Sequence, residues 1–138
     1  MVNPLAQSAV GAMLSEFAYR LDNGQAASLV ELCTEDLAFE SHMGKADLEG
    51  FRRHMTDRQS ATYTTRHCIN NVRLVSVTEE KIEATAVMTV TRLEPDESGS
   101  VKEIAAVLDW RLTLAKAGAD YRFQSVSLKP FSVIEYKK

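Results

Sequence analysis

Cysteine is scarce in this chain. Only Cys33 and Cys68 are present, they form no CxxC pair, and no Cys/His spacing suggests zinc. They read as two reduced, buried thiols in a cytoplasmic protein rather than as a disulfide. No run of about 18 apolar residues occurs, so no membrane-spanning segment is expected. The opening MVNPLAQSAVGAM has no charged n-region, and Gln7 and Ser8 interrupt its apolar residues. It reads as a helix rather than a signal peptide. Neither sign of charge dominates: 16 basic against 19 acidic residues give a net charge of −3 and a pI near 5.6. That balance argues against a general nucleic-acid binder. No GxGxxG, Walker loop or HExxH occurs, so neither a nucleotide cofactor nor a metal is expected. Internal repeats, linkers and low-complexity segments are absent.

What is present is 138 residues, 45% hydrophobic and 25% charged, which is one ordinary globular domain spanning 1–138. The stretch EFAYRLDNGQAASLVELCTEDLAFE, residues 16–40, organises it. Phe17, Leu21, Leu29, Leu32 and Cys33 fall at helical spacing, and Leu37 and Phe39 alternate as in a strand. Between them Asp22-Asn23-Gly24 makes a corner, with Asn23 available to cap a second short helix over about 24–33. Upstream, Asn3-Pro4 starts the first helix, with Val10, Leu14, Phe17 and Leu21 as its buried stripe. A first strand runs over 37–42, and Asp47 caps a third helix with the stripe Leu48, Phe51 and Met55. From Thr62 onward the chain reads as four long strands, 62–77, 82–93, 101–115 and 121–136, with Pro130 forcing an edge or a bulge. Lys137 and Lys138 form a solvated tail. Without βαβ alternation a parallel sheet is not expected. The fold class is α+β: a strongly bent antiparallel sheet with three helices across its concave side, enclosing a conical cavity, the default place for a ligand.

This order of elements resembles the SnoaL-like branch of the nuclear transport factor 2-like superfamily, an α+β barrel. AYRLDNGQAASLVELCTEDLAFE, GKADLEGFRRH and TTRHCINNVRL are similar to that family's Y-x-x-D-x-G-D…L-F-T-x-D, G-x-x-x-I and R-H-x-x-x-N signatures. The resemblance covers nearly the whole chain. It implies a pocket protein from a superfamily that includes scytalone dehydratase, ketosteroid isomerase, polyketide cyclases, ring-hydroxylating dioxygenase small subunits and noncatalytic binders. By this resemblance Asp22 and His67 match a pocket aspartate and a catalytic histidine. Asp109 is similar to an oxyanion-binding aspartic acid, and the position of a general base falls near Ser41. No second histidine stands near Thr91.

These residues suit acid–base chemistry. A carboxylate accepting from an imidazole N–H fixes the tautomer and raises the basicity of the other ring nitrogen. That nitrogen could take a proton alpha to a carbonyl or activate water. The plainer alternative is that Asp22 only caps the corner and His67 is a satisfied core histidine. Strand parity puts His67, Ile69 and Asn71 on one face and Arg66, Cys68 and Asn70 on the other. Asp109 stands among apolar residues, but Arg111 nearby offers a simple ion pair instead. Tyr19 and Tyr63 are either hydrogen-bond donors to a substrate or core residues with hydroxyls at the rim. Phe17, Ser41 and Asn71 complete the expected pocket lining. The resulting expectation is a cofactor-independent lyase, isomerase or cyclase acting on a hydrophobic, oxygenated small molecule. The alternatives are a noncatalytic ligand-binding or assembly domain, or an oxygenase small subunit. Apolar-rich strands such as VLDWRLTL leave little polar surface for an exposed sheet face, so a homodimer is expected.

Overall fold

The computed structural model describes residues 2–137. Lys138 and the Lys137 side chain, expected as a solvated tail, lie outside the described residues. Helix α1 spans Pro4–Asp22. Asn3 caps it by accepting the Ala6 N–H at 3.1 Å, with proline in its first turn. Its stripe of Val10, Leu14 and Phe17 is fully buried. A 3₁₀ helix, Ala26–Leu32, follows the corner. Asn23 does not cap it. The Asn23 amide turns back and donates to the Tyr19 carbonyl at 2.8 Å, closing α1 instead. Helix α2, Leu48–Ser60, is capped by Asp47, whose Oδ1 accepts the Gly50 N–H at 2.9 Å.

The strands are β1 (Cys33–Ser41), β2 (Gly44–Ala46), β3 (Thr64–Val77), β4 (Lys81–Pro95), β5 (Val101–Ala117) and β6 (Asp120–Lys137). Strands β3 to β6 form the expected antiparallel meander. Two features depart from the expected antiparallel α+β barrel. The single sheet has the order β2-β1-β6-β5-β4-β3, with two free edges, so it is open and not strongly curled. It is also mixed, because β1 pairs with β6 in parallel. That pairing joins strands far apart in sequence, and local alternation carries no information about it. Pro130 does mark an irregularity, a register shift in β6 opposite Val107 and Leu108.

One face of the sheet carries Leu74, Ile82, Ala84, Ala86, Met88, Trp110, Leu112, Leu114 and Phe123, all buried against the helices. Around Phe17 the space between helices and sheet is packed with aromatic rings. The Phe17 ring packs 5.3 Å from Trp110, 5.4 Å from Phe123 and 6.2 Å from Phe51, centroid to centroid. Phe17 is therefore a core residue rather than part of a pocket lining, since interiors pack to the density of organic crystals. Cys33 is buried and Cys68 exposed, both as free thiols, so only one of the two expected burials occurs. Among the described residues no helix is long and apolar enough to cross a membrane.

Candidate functional site

Asp22 is the last residue of α1, and the sequence holds it there by ending the helix sharply. Gly24 takes φ +74°, and the Gln25 N–H bonds to the Arg20 carbonyl five residues back at 2.9 Å. This wrap-around ending suits glycine, which carries no Cβ penalty in the left-handed region. The corner lies against β3, an edge strand bonded only to β4. On that edge the His67 backbone N–H has no ladder partner, and it donates to Asp22 Oδ2 at 2.9 Å. The His67 ring closes on the same carboxylate, with Nδ1 2.6 Å from Asp22 Oδ1. Both side chains are less than a tenth exposed. The Thr65 hydroxyl donates to Asp22 Oδ1 at 2.8 Å. Arg66, on the outer side of the edge, donates to the Asp22 carbonyl at 3.3 Å.

An ionised carboxylate only accepts hydrogen bonds, so the nitrogen facing it must be the N–H donor. Asp22 thus selects the tautomer with the proton on Nδ1. Nε2, which carries the lone pair, has no hydrogen-bond partner among the described residues. His67 lies on the helix-facing side of the sheet, opposite Val90 in β4. Val90 pairs with Ala106 and Ala106 with Val133. These three side chains make an apolar row level with the imidazole, open toward β6, where Val133 is 55% exposed.

Of the other expected site residues, none joins this pair. Asp109 is exposed and opposite Val87, on the sheet face away from His67, because its neighbour Trp110 takes the inward position. Asn71, which strand parity assigns to the His67 face, adopts φ 49° inside a bulge of β3, so Val72 and Leu74 continue the inward face in its place. Ser41 lies across the sheet in β1, where its hydroxyl accepts the Met43 N–H at 3.2 Å in a local turn. Tyr19 is 55% exposed on α1. Tyr63 lies between two guanidinium groups, with Arg58 4.4 Å and Arg92 3.6 Å from its ring centroid. Arg92 also pairs with Glu94. Desolvation pushes the Glu94 carboxyl up, but the Lys102 hydrogen bond and the Arg92 charge outweigh it and hold the group below its ordinary value.

The sequence reading passes over Thr65 and Arg58. Thr65 shares the parity of His67 two residues on, and that signal was present. Arg58 is in the last turn of α2, and no local pattern in the sequence connects it with Asp22 or His67. Its approach is purely tertiary, with the guanidinium donating to Thr65 Oγ1 at 3.0 Å and to the Leu21 carbonyl at 3.2 Å.

Two cavities lie elsewhere. One of about 840 Å³ is lined by Glu40, Lys45, Arg53, His54, Glu83 and Arg111 among others, and one of about 320 Å³ includes Asn71, Asp109 and Lys129. Neither is lined by Asp22 or His67. Their mixed charged rims and lack of a paired base make them poor candidates for proton transfer. Among the described residues no cluster of three or more His, Cys, Asp or Glu is placed to hold a metal ion.

The family model of the SnoaL-like domain matches residues 5–126. No curated protein matches the chain. Several solved structures share its fold. A protein provisionally assigned as a scytalone dehydratase from Novosphingobium aromaticivorans is 17% identical, with a TM-score of 0.84 over 97% of this chain and 89% of that one. A type 2 hexachlorocyclohexane dehydrochlorinase is 15% identical, with a TM-score of 0.81 over 96% and 89%. The beta subunit of a provisionally assigned aromatic-ring-hydroxylating dioxygenase from N. aromaticivorans is 14% identical, with a TM-score of 0.73 over 94% and 91%.

Proposed function

The chain belongs to the SnoaL-like family, and from that premise we propose that it is a cofactor-independent lyase or isomerase in which His67 is the general base. The observation that carries this reading is the 2.6 Å contact of His67 Nδ1 with Asp22, which leaves Nε2 unpartnered beside an apolar row. A substrate lying on Val90, Ala106 and Val133 is hydrophobic, with a carbonyl that acidifies the neighbouring C–H. His67 Nε2 takes that proton. The C–H electron pair passes into an enolate, or into a new double bond as a leaving group departs from the adjacent carbon. The imidazolium, stabilised by the Asp22 carboxylate, then returns the proton to carbon or gives it to the leaving group. Two structures of the same fold carry the names of a dehydratase and a dehydrochlorinase, which lends weight to the elimination branch.

The test is exchange of solvent deuterium into the alpha C–H of a panel of hydrophobic ketones and hydroxyketones, followed by NMR. His67→Ala is expected to slow the responsive compound by about 10²–10⁴-fold, the usual worth of a positioned base, with the fold retained by circular dichroism. Equal rates for His67→Ala and the wild type would remove the proposal.

A second reading is a noncatalytic subunit. It is favoured by Phe131, Val133, Ile134 and Tyr136, which are 76%, 55%, 47% and 49% exposed near the end of β6. On that reading no compound in the panel exchanges faster than in buffer.

A further inference from the structure

Asp22 and His67 do not hold their geometry alone, and the atoms that hold it lie on two further elements. Thr65, in β3, is the one polar residue in the buried class among the described residues, at 6% exposure. Its hydroxyl has one hydrogen and two lone pairs. Arg58, from the last turn of α2, has only donors, and its guanidinium nitrogen is 3.0 Å from Thr65 Oγ1. One Thr65 lone pair is therefore taken, and the Thr65 hydrogen is directed to Asp22 Oδ1 at 2.8 Å. The same Arg58 nitrogen also holds the carbonyl of Leu21, the residue before Asp22, at 3.2 Å. The Arg58 guanidinium lies over the Tyr63 ring, which fixes its plane.

We propose that Arg58 and Thr65 are positioning residues for the Asp22–His67 pair, an ordered relay of donors that keeps the Asp22 carboxylate turned so that His67 carries its proton on Nδ1. The proposal rests on the acid–base reading above only for its kinetic consequence. The wiring itself has a direction. Arg58 can only donate to Thr65, Thr65 then donates to Asp22, and Asp22 accepts from the Nδ1–H and the backbone N–H of His67. Remove Arg58, and the Thr65 hydroxyl is free to rotate away from Asp22. Remove the Thr65 hydroxyl, and Asp22 Oδ1 loses one of its two fixed donors while Arg58 is left facing a methyl group. In either case the carboxylate can swing, and the imidazole loses the acceptor that selects its tautomer.

The experiment is ¹⁵N NMR of the imidazole at about pH 8.5, above the ordinary histidine range, on the full chain with labelled histidine and no substrate. Wild type is expected to show the Nδ1–H tautomer at His67. Thr65→Val and Arg58→Gln are expected to shift it to a mixture of tautomers, and Thr65→Ser to restore the wild-type spectrum. With a responsive substrate, Thr65→Val should lower kcat by about 10- to 100-fold with KM little changed, as for a displaced reacting group. An unchanged tautomer in both Thr65→Val and Arg58→Gln would overturn the proposal, leaving both residues with a packing role only. If wild type and His67→Ala exchange substrate protons equally, the acid–base reading fails on its own, and the tautomer comparison still decides the relay.

Discussion

At the scale of single residues, the chain places its few reactive groups in contrasting settings. His67 and Asp22 share a nearly buried contact, with the ring nitrogen Nε2 left without a hydrogen-bond partner among the described residues. The two thiols are separated in the same way. Burial pushes the Cys33 thiol up to about 12, whereas Cys68 is exposed on the edge strand. One thiol per native chain is therefore expected to react with Ellman's reagent near pH 8, and two after denaturation, since only the thiolate attacks. Rapid reaction of both in the native chain would contradict this burial. The same shift sets a sign for alkaline stability. Below the ordinary thiol value of 9.0 both folded and unfolded chains keep Cys33 protonated, and its contribution is complete. Between pH 9 and about 12 the unfolded chain loses this proton and the folded chain keeps it, so stability falls as pH rises. Urea titrations across that range should show a shallower loss in Cys33→Ala than in wild type.

At the scale of elements, the corner after α1 decides where the carboxylate sits. Gly24 is in the left-handed region at φ +74°, with open space where a methyl group would project, so a side chain there meets strain rather than a clash. Gly24→Ala should cost about 1–2 kcal/mol in a urea titration. It should also loosen Asp22, which a broadened His67 imidazole resonance would report. A stability equal to wild type would show that the corner is not held as described. The local signals for these elements were legible in the sequence: Asn3-Pro4 and Asp47 as helix starts and Gly24 as a corner; strand parity separated His67 from Cys68, and only the resemblance at TRHCIN pointed His67 inward. The misreadings were those in which one residue changes the count. Asn71 enters the left-handed region and inserts a bulge, so strict alternation from His67 gives it the wrong face. Asn23 had a plausible forward partner in the second helix and took a backward one on Tyr19.

At the scale of the whole molecule, the open edge of the sheet is what makes the site. In a closed barrel the His67 N–H would enter a ladder with a neighbouring strand, because closure leaves no free edge. Here the edge is free, and Asp22 takes the N–H and the ring of the same residue together. The barrel expectation failed because closure depends on pairings distant in sequence, of which the parallel β1–β6 contact is one. Phe17, Phe51, Trp110 and Phe123 pack against one another beneath the helices, and the cavity of about 840 Å³ lies apart from Asp22 and His67. Substrate is therefore expected on the row beside His67 rather than deep in the core. Ala106→Trp should abolish turnover with the fold intact, while Arg111→Ala, in the groove that α2 and β1 also line, should leave it unchanged. The reverse pattern would move the site to that groove. The most direct measurement of the central claim is the rate of substrate proton exchange in Asp22→Asn. The asparagine keeps the size of the carboxylate but can present an N–H to Nδ1, which favours the opposite tautomer and leaves Nε2 without its lone pair. The account predicts a fall on the order of 10³–10⁴-fold with substrate binding retained, as for other histidine bases deprived of their carboxylate, and a rate within about twofold of wild type would contradict it.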